Sequence, residues 1–183
     1  TEVILYMILF AILMSFHSCQ KKANVEITNV VEEWINREIK FDDGYIFTRL
    51  GKDSVYNSIP TNKYKILVYT DSVGCVGCTL RLSQWMEWIT QIDSISENKV
   101  SFLFFIHPKD MRDLLLLLCS QNFDVPVCID RNNSLYKLNR FPSNAMLQTF
   151  LLDEHNKVLA IGNPMHNPNC LLYTSDAADE ARS

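Results

Sequence analysis

Glycine and proline are scarce in this chain, at five and six of 183 residues. That scarcity excludes a collagen-like or low-complexity protein. Positive charge is not in excess either: 17 Lys and Arg against 21 Asp and Glu give a formal net charge of −4. Without a basic patch there is nothing to neutralise a phosphate backbone, so nucleic acid is excluded as a partner. No apolar run reaches the roughly 20 residues a membrane-crossing helix needs. A second Cys-x-x-Cys and a His-x-x-x-His are both missing, so spacing assembles no four-ligand zinc site. Six cysteines are too few and too irregular for a disulfide-framework miniprotein. What remains is an ordinary globular balance, 48% apolar and 21% charged, of about one domain's length.

The two ends differ from the middle. Val3 to Phe16 is apolar and fits the h-region of a secretory signal, about 7–15 residues. Phe16-His17-Ser18-Cys19 follows, then Gln20-Lys21-Lys22. A small residue and a cysteine directly after an h-region resemble the lipobox of bacterial lipoproteins. The resemblance implies cleavage before Cys19 and acylation of its thiol, with Phe16 and His17 departing from the usual residues. The chain opens with Thr1 and no basic residue precedes the apolar run, so residues 1–18 read as a signal peptide truncated at its start. An uncleaved signal anchor or a buried N-terminal helix are the alternatives. Residues 19–28 read as a polar tether. Cys170 to Ser183 shifts abruptly to small and acidic residues and resembles translated adaptor read-through, so 170–183 is expected to be a non-native tail and 29–169 the domain.

Between these ends the periodicities alternate. Asn29 to Lys40 places Val30, Val31, Trp34, Ile35 and Ile39 at helical spacing, with Asn29 as N-cap and Glu32, Glu33, Arg37 and Glu38 on the wet face. Tyr45–Leu50 and Ser54–Tyr56 flank Gly51-Lys52-Asp53, a hairpin pattern. Lys65–Thr70 is a buried-strand run and Asp71–Gly74 a loop. Cys78 to Ile92 reads as one helix, with Cys78, Leu82, Trp85, Ile89 and Ile92 on one face. Val100–Ile106 is a second buried strand, stopped by His107-Pro108. Met111–Cys119 is a Leu-rich helix expected to pack on more than one side. Val125–Ile129 is a strand and Asn133–Leu138 a short helix. Gln148–Leu152 and Lys157–Ile161 form a closing hairpin about Asp153–Asn156. Strands alternating with helices imply an α/β fold with a partly parallel sheet covered on both faces. The closing hairpin makes that sheet mixed.

The loop after the first long strand holds Gly74-Cys75-Val76-Gly77-Cys78. A cysteine at the first turn of a helix meets unpaired N–H groups and the positive end of the helix dipole. Both lower a thiol's pKa, and the thiolate is the nucleophile. Cys78 returns to the same face one turn later, so the pair can close a disulfide. Cys75 then attacks a substrate disulfide and Cys78 resolves the mixed disulfide. A structural disulfide and a metal half-site are the rival readings. Copper held by the two thiols with His155 or His166 is a further one, although a solvated turn explains His155 and a Pro- and Asn-rich loop explains His166. His107 reads as a loop residue at a strand end, with a proton relay as its alternative. Cys119 and Cys128 read as small buried hydrophobes, or as a second disulfide. Trp85 and Trp88 read as core and edge aromatics.

Strand, Cys-x-x-Cys, helix, strand, helix and a terminal hairpin resemble the thioredoxin fold, a three-layer sandwich. With the lipoprotein-type start, the chain resembles the TlpA-like membrane-tethered thiol–disulfide oxidoreductases. Thr149-Phe150-Leu151-Leu152-Asp153, Lys157-Val158 and Gly162 resemble that family's closing hairpin, and the likeness covers roughly residues 60–165. It implies exchange with disulfides or dithiols of extracytoplasmic proteins, on the periplasmic side of a bacterial membrane, the outer membrane in particular. It implies Cys75 as nucleophile, Cys78 as resolving thiol, a membrane electron relay as donor, and neither cofactor nor metal. Two departures stand out. The family's cis-proline position falls near Leu147, with Pro142 about five residues early, and Val73-Gly74 replaces the usual Trp before the motif. A redox-inert binding module stapled by a Cys75–Cys78 disulfide is the alternative those departures favour.

Overall fold

The computed structural model describes residues 27–71, 80–97 and 99–165. Residues 27–34 are helical (α1). They are followed by strands β1 (Phe47–Arg49), β2 (Asp53–Tyr56) and β3 (Tyr64–Thr70). Helix α2 (Leu82–Ser96), strand β4 (Val100–Ile106), helix α3 (Met111–Ser120), strand β5 (Val127–Ile129) and helix α4 (Ser134–Asn139) come next. A 3₁₀ turn (Ala145–Leu147) leads into β6 (Thr149–Leu152) and β7 (Val158–Ile161). The strands form one sheet in the order β2-β1-β5-β4-β3-β6-β7. β3 pairs parallel with β4, and β4 with β5, while β6 runs antiparallel to β3. The mixed sheet expected from the alternation is therefore present.

Strand alternation divides the core into two layers. Leu67, Tyr69, Leu103, Phe105, Phe150 and Leu152 face one side, where Val31 and Trp34 of α1 and Leu135 of α4 cover them. Ile66, Val68, Phe104 and Ile106 face the other, under Leu82 and Trp85 of α2 and Leu114 and Leu118 of α3. Both faces of the central strands are buried, which is why their sequences are continuous apolar runs. The first layer is largely aromatic. Trp34 stacks on Phe141 at 5.7 Å and tilts against Phe150 at 5.1 Å, and Tyr69 meets Phe141 at 4.7 Å. Each such ring pair adds about 0.5–1.5 kcal/mol beyond its burial. Trp85 is fully buried and meets Trp88 edge-on, as core and edge aromatics should.

The helix expected over 29–40 ends at residue 34, and Asn29 lies inside it rather than capping it. Asn36 takes a left-handed φ of 64°, which stops the helix. The chain then runs along the edge of the sheet: Asn36 N–H donates to the Val158 carbonyl, Val158 N–H to Arg37, and Glu38 bridges Lys157. That segment covers the β7 edge, which would otherwise invite pairing with another chain. Of the helix expected over 78–92, residues 78 and 79 lie outside the described residues; the chain is interrupted at Arg81, with φ 43°, and the regular helix runs from Leu82 to Ser96. Leu80 and Leu82 are both buried in the same layer. Two positions apart on a helix, they would lie about 200° apart at 3.6 residues per turn; the left-handed residue between them lets both enter the core.

α3 packs on one side only. Leu114 and Leu118 are buried, whereas Leu116 is 59% exposed and Cys119 is also exposed. Because α3 forms the outermost layer on its face, Leu116 and Cys119 meet solvent, while Leu117 packs partly against the core. Cys119 is thus not the buried hydrophobe expected, and it forms no disulfide with Cys128, which is buried. The β1–β2 turn packs beneath this helix. Leu50 and Gly51 both take positive φ there, and a Cβ on Gly51 would overlap a Leu115 methyl. Only glycine meets both conditions without strain.

Candidate functional site

β3 is an interior strand, flanked by β4 and β6. Its C-terminal end, Thr70, feeds a segment that returns at Leu80 on the α2 face. Cys75 and Cys78 belong to that segment and lie outside the described residues, as do Cys19, His166 and the 170–183 tail. The frame from which the segment departs is well defined. Parallel pairing continues past the strand end, because the His107 N–H donates to the Thr70 carbonyl at 2.8 Å. C-terminal strand ends are the usual location of sites in open α/β sheets.

Beside this end lies a polar network that holds the next two crossings together. Asp130 follows β5 and is almost fully buried. Its Oδ1 accepts the Ser134 N–H at 2.9 Å and the Ser134 hydroxyl at 3.0 Å, and its Oδ2 accepts the Leu135 N–H at 2.8 Å. Asp130 thus caps α4, a role the cap position itself, Asn133, does not fill with its side chain. Asn133 Oδ1 instead accepts the Tyr69 hydroxyl at 2.8 Å. The Asp130 carbonyl sits 2.9 Å from His107 Nδ1. A carbonyl only accepts, so Nδ1 carries the hydrogen and the neutral tautomer leaves Nε2 as the acceptor. The ring is therefore held by β5, as a strand-end residue should be.

Removing the Asp130 carboxylate leaves two backbone N–H groups without their partner and the Ser134 hydroxyl with the Tyr45 hydroxyl alone. Asp130→Ala is expected to lower stability by about 2–3 kcal/mol, the cost of a lost cap with buried donors left unpaired. The shift in the urea midpoint at unchanged m-value reads it. Sequence reasoning passed over Asp130. The signal was present as an Asp four residues before Ser134-Leu135, ahead of a short apolar-periodic helix.

On the other flank of β3, the chain enters β6 without proline. Tyr69 N–H donates to the Gln148 carbonyl at 3.0 Å, and Gln148 Nε2 reaches back to the Pro142 carbonyl at 2.8 Å. Every peptide bond among the described residues is trans. Pro142 stays at the far end of the turn, so no insertion brings it to the strand. A non-proline cis bond would cost about 2.5–4 kcal/mol, and the Ala145–Leu147 turn, with Asn144 Oδ1 accepting the Met146 N–H, supplies the direction change instead. A groove of about 340 Å³ opens beside it, lined in part by Trp34, Arg140, Pro142 and Leu147.

The remaining candidates disperse. His155 is exposed in the β6–β7 turn, its Nε2 3.7 Å from the Glu154 carboxylate. Among the described residues, no three His, Cys, Asp or Glu side chains are grouped to hold a metal ion. Burial pushes the Cys128 thiol up to about 12, with the Asp130 charge adding to it and a backbone hydrogen bond from Ile46 opposing. Such a thiol is protonated and inert at neutral pH. Among the described residues, no helix is long and apolar enough to cross a membrane.

No protein-family model and no curated protein matches the chain. Solved structures do. PrxQ of Xylella fastidiosa, a cysteine-to-serine mutant, superposes with a TM-score of 0.53 at 14% identity over 81% of this chain and 94% of that one. StoA of Bacillus subtilis gives 0.49 at 16% identity over 76% and 96%. The thioredoxin domain of a Bacteroides vulgatus thiol-disulfide oxidoreductase gives 0.47 at 11% identity over 67% and 89%. Together with the strand order, the PrxQ superposition identifies the fold as thioredoxin-like: a mixed sheet with helices on both faces, closed by a hairpin.

Proposed function

We propose that this chain is a thiol–disulfide oxidoreductase acting on extracytoplasmic proteins through Cys75 and Cys78. One observation carries the reading. The Cys-x-x-Cys lies in the segment that joins the C-terminal end of β3 to α2 in a thioredoxin-like sheet. In the reductive direction the Cys75 thiolate attacks one sulfur of a substrate disulfide and expels the other as a thiolate, leaving a mixed disulfide. Cys78 then attacks the Cys75 sulfur. The pair ends oxidised, and two electrons have passed to the substrate. A protein dithiol, fed through a membrane relay, restores the pair. Acylation at Cys19 would tether the domain on the periplasmic side of the membrane, where such substrates occur.

The full chain in mild detergent, with dithiothreitol as reductant, is expected to precipitate the insulin B chain well ahead of dithiothreitol alone. Equal rates with and without the protein overturn the enzyme reading. The trans, proline-free entry to β6 favours a second reading, a binding module whose Cys75–Cys78 disulfide is a permanent staple. The reduction potential separates the two. A value below about −300 mV belongs to a staple, and a more oxidising one to an exchanging pair.

A further inference from the structure

Helix α3 buries Leu114 and Leu118 against the sheet and leaves an apolar stripe uncovered by the described residues. Met111, Arg112, Leu115, Leu116 and Cys119 line a shallow groove along it. At about 100° and 1.5 Å per residue, these five positions share a stripe about 140° wide and about 12 Å long. Leu116 and Cys119 are exposed, and Met111 and Leu115 are half-buried. Asp113, the acid of the first turn, falls outside the stripe, so the charge within it is that of Arg112. Apolar residues that meet solvent together, rather than singly, mark an interaction surface.

The charges of this stripe fit a second copy of itself. Arg112 stands in the first turn, at the positive end of its own helix dipole, and its guanidinium forms no ion pair among the described residues. The last turn, where a cation is favourable, carries none. A second α3 laid antiparallel, about a two-fold axis between Leu115 and Leu116, answers both. Leu115 then faces Leu116 of the second copy, and Arg112 faces its Cys119. The guanidinium meets the negative end of the second copy's dipole. Two-fold symmetry makes this contact twice, and the two helix dipoles run opposed.

We propose that α3 is a self-association surface, on which two copies of this chain pair antiparallel through Met111, Leu115, Leu116 and Cys119, with Arg112 of each at the C-terminal end of the other's helix. The area sets the strength. Two stripes of this size bury well under the roughly 1,200 Å² of a stable interface. Association is therefore weak and reversible, with a dissociation constant on the order of 100 µM. It needs no covalent bond. A register centred between Leu115 and Leu116 sets the two Cys119 residues about 10 Å apart along the axis, beyond disulfide reach. The pairing does not depend on the thiol chemistry of Cys75 and Cys78.

The test is sedimentation equilibrium of the full chain, reduced with dithiothreitol in density-matched detergent, from well below to well above that concentration. Wild type is expected to pass from monomer to dimer. Leu116→Glu is expected to stay monomeric. Arg112→Glu is expected to weaken pairing about tenfold, because an acid then meets the negative end of the second copy's helix at both contacts. The same change puts an acid in the first turn of its own helix, so dilute Arg112→Glu melts no lower than wild type, and lost pairing is not lost folding. Ser120 is exposed in the last turn, and Arg112→Glu combined with Ser120→Lys exchanges the charges and is expected to restore the dimer. A wild type that stays monomeric throughout overturns the proposal, whether the stripe is bare or another stretch of the chain covers it. A dimer that neither single variant weakens overturns it as well, and so does a double variant that pairs no better than Arg112→Glu alone.

Discussion

Replacing Cys75 by serine will abolish insulin reduction, by at least about 10³-fold, while leaving the thermal transition in place. A serine hydroxyl at neutral pH is almost wholly protonated and makes a poor attacking group on a disulfide, so the first bond never forms. Cys78→Ser has a different signature. Cys75 can still attack, but nothing resolves the product, so the variant accumulates a covalent adduct with its substrate. On a non-reducing gel that adduct appears as a new high-mass band that dithiothreitol removes. Turnover falls as far as in Cys75→Ser, but only Cys78→Ser traps a partner. The same band recovered from a periplasmic extract would identify the substrate class. Equal trapping by both variants would mean that neither cysteine is the dedicated nucleophile. The thermal comparison matters because the described core contains neither residue: its two layers close through Trp34, Phe105 and Phe150 on one side and Trp85, Phe104 and Leu118 on the other.

Much of that core was legible in the sequence. The runs Lys65–Thr70 and Val100–Ile106 are too apolar for a one-sided strand, and both are buried on two faces. The closing hairpin was readable from Asp153–Asn156, where Asp153 Oδ1 accepts the His155 and Lys157 N–H groups at 2.8 Å. What escaped were features decided by tertiary packing. Asn36 ends α1 because the following residues gain more as an edge cover for β7 than as another helical turn. Arg81 breaks the expected helix because Leu80 and Leu82 both enter one layer. Lys65 is the clearest case. A lysine inside an apolar strand suggests an exposed edge, yet its ammonium is buried and donates to the Asp153 and Glu154 carbonyls at 3.0 Å. The turn over β3 provides those acceptors, and local periodicity has no way to announce them. The candidate site was legible as a motif and as a place in the topology. Asp130 carries a sequence signal as the cap of α4, but its place beside the C-terminal ends of the parallel strands shows only when those strands are set side by side.

Between pH 9 and 12 the protein is expected to lose on the order of 4 kcal/mol of stability through Cys128 alone. Burial holds the Cys128 thiol at about 12 in the folded chain, against 9.0 when free, with the Asp130 charge adding to the rise. Three pH units correspond to about 4 kcal/mol of preference for the protonated form. The sign follows from linkage: the folded state keeps a proton that the unfolded state gives up, so this contribution is whole below pH 9 and drains away towards 12. Tyr56 acts in the same direction, raised from 10.0 to about 12 chiefly by burial, and burial also raises Tyr45 and Tyr69. Lys65 opposes them. Burial lowers its ammonium below 10.5, so folding gains from this group as pH rises through that range. One opposing group does not offset four, and a domain stable by about 5–15 kcal/mol has little margin for such a loss. Urea midpoints at pH 8, 10 and 11 should therefore fall steeply for wild type. Cys128→Ala should start lower at pH 8, because it leaves a small cavity, and then fall less steeply, so the two curves converge or cross. Parallel curves would mean that the thiol proton has no part in alkaline unfolding and that the tyrosines carry it.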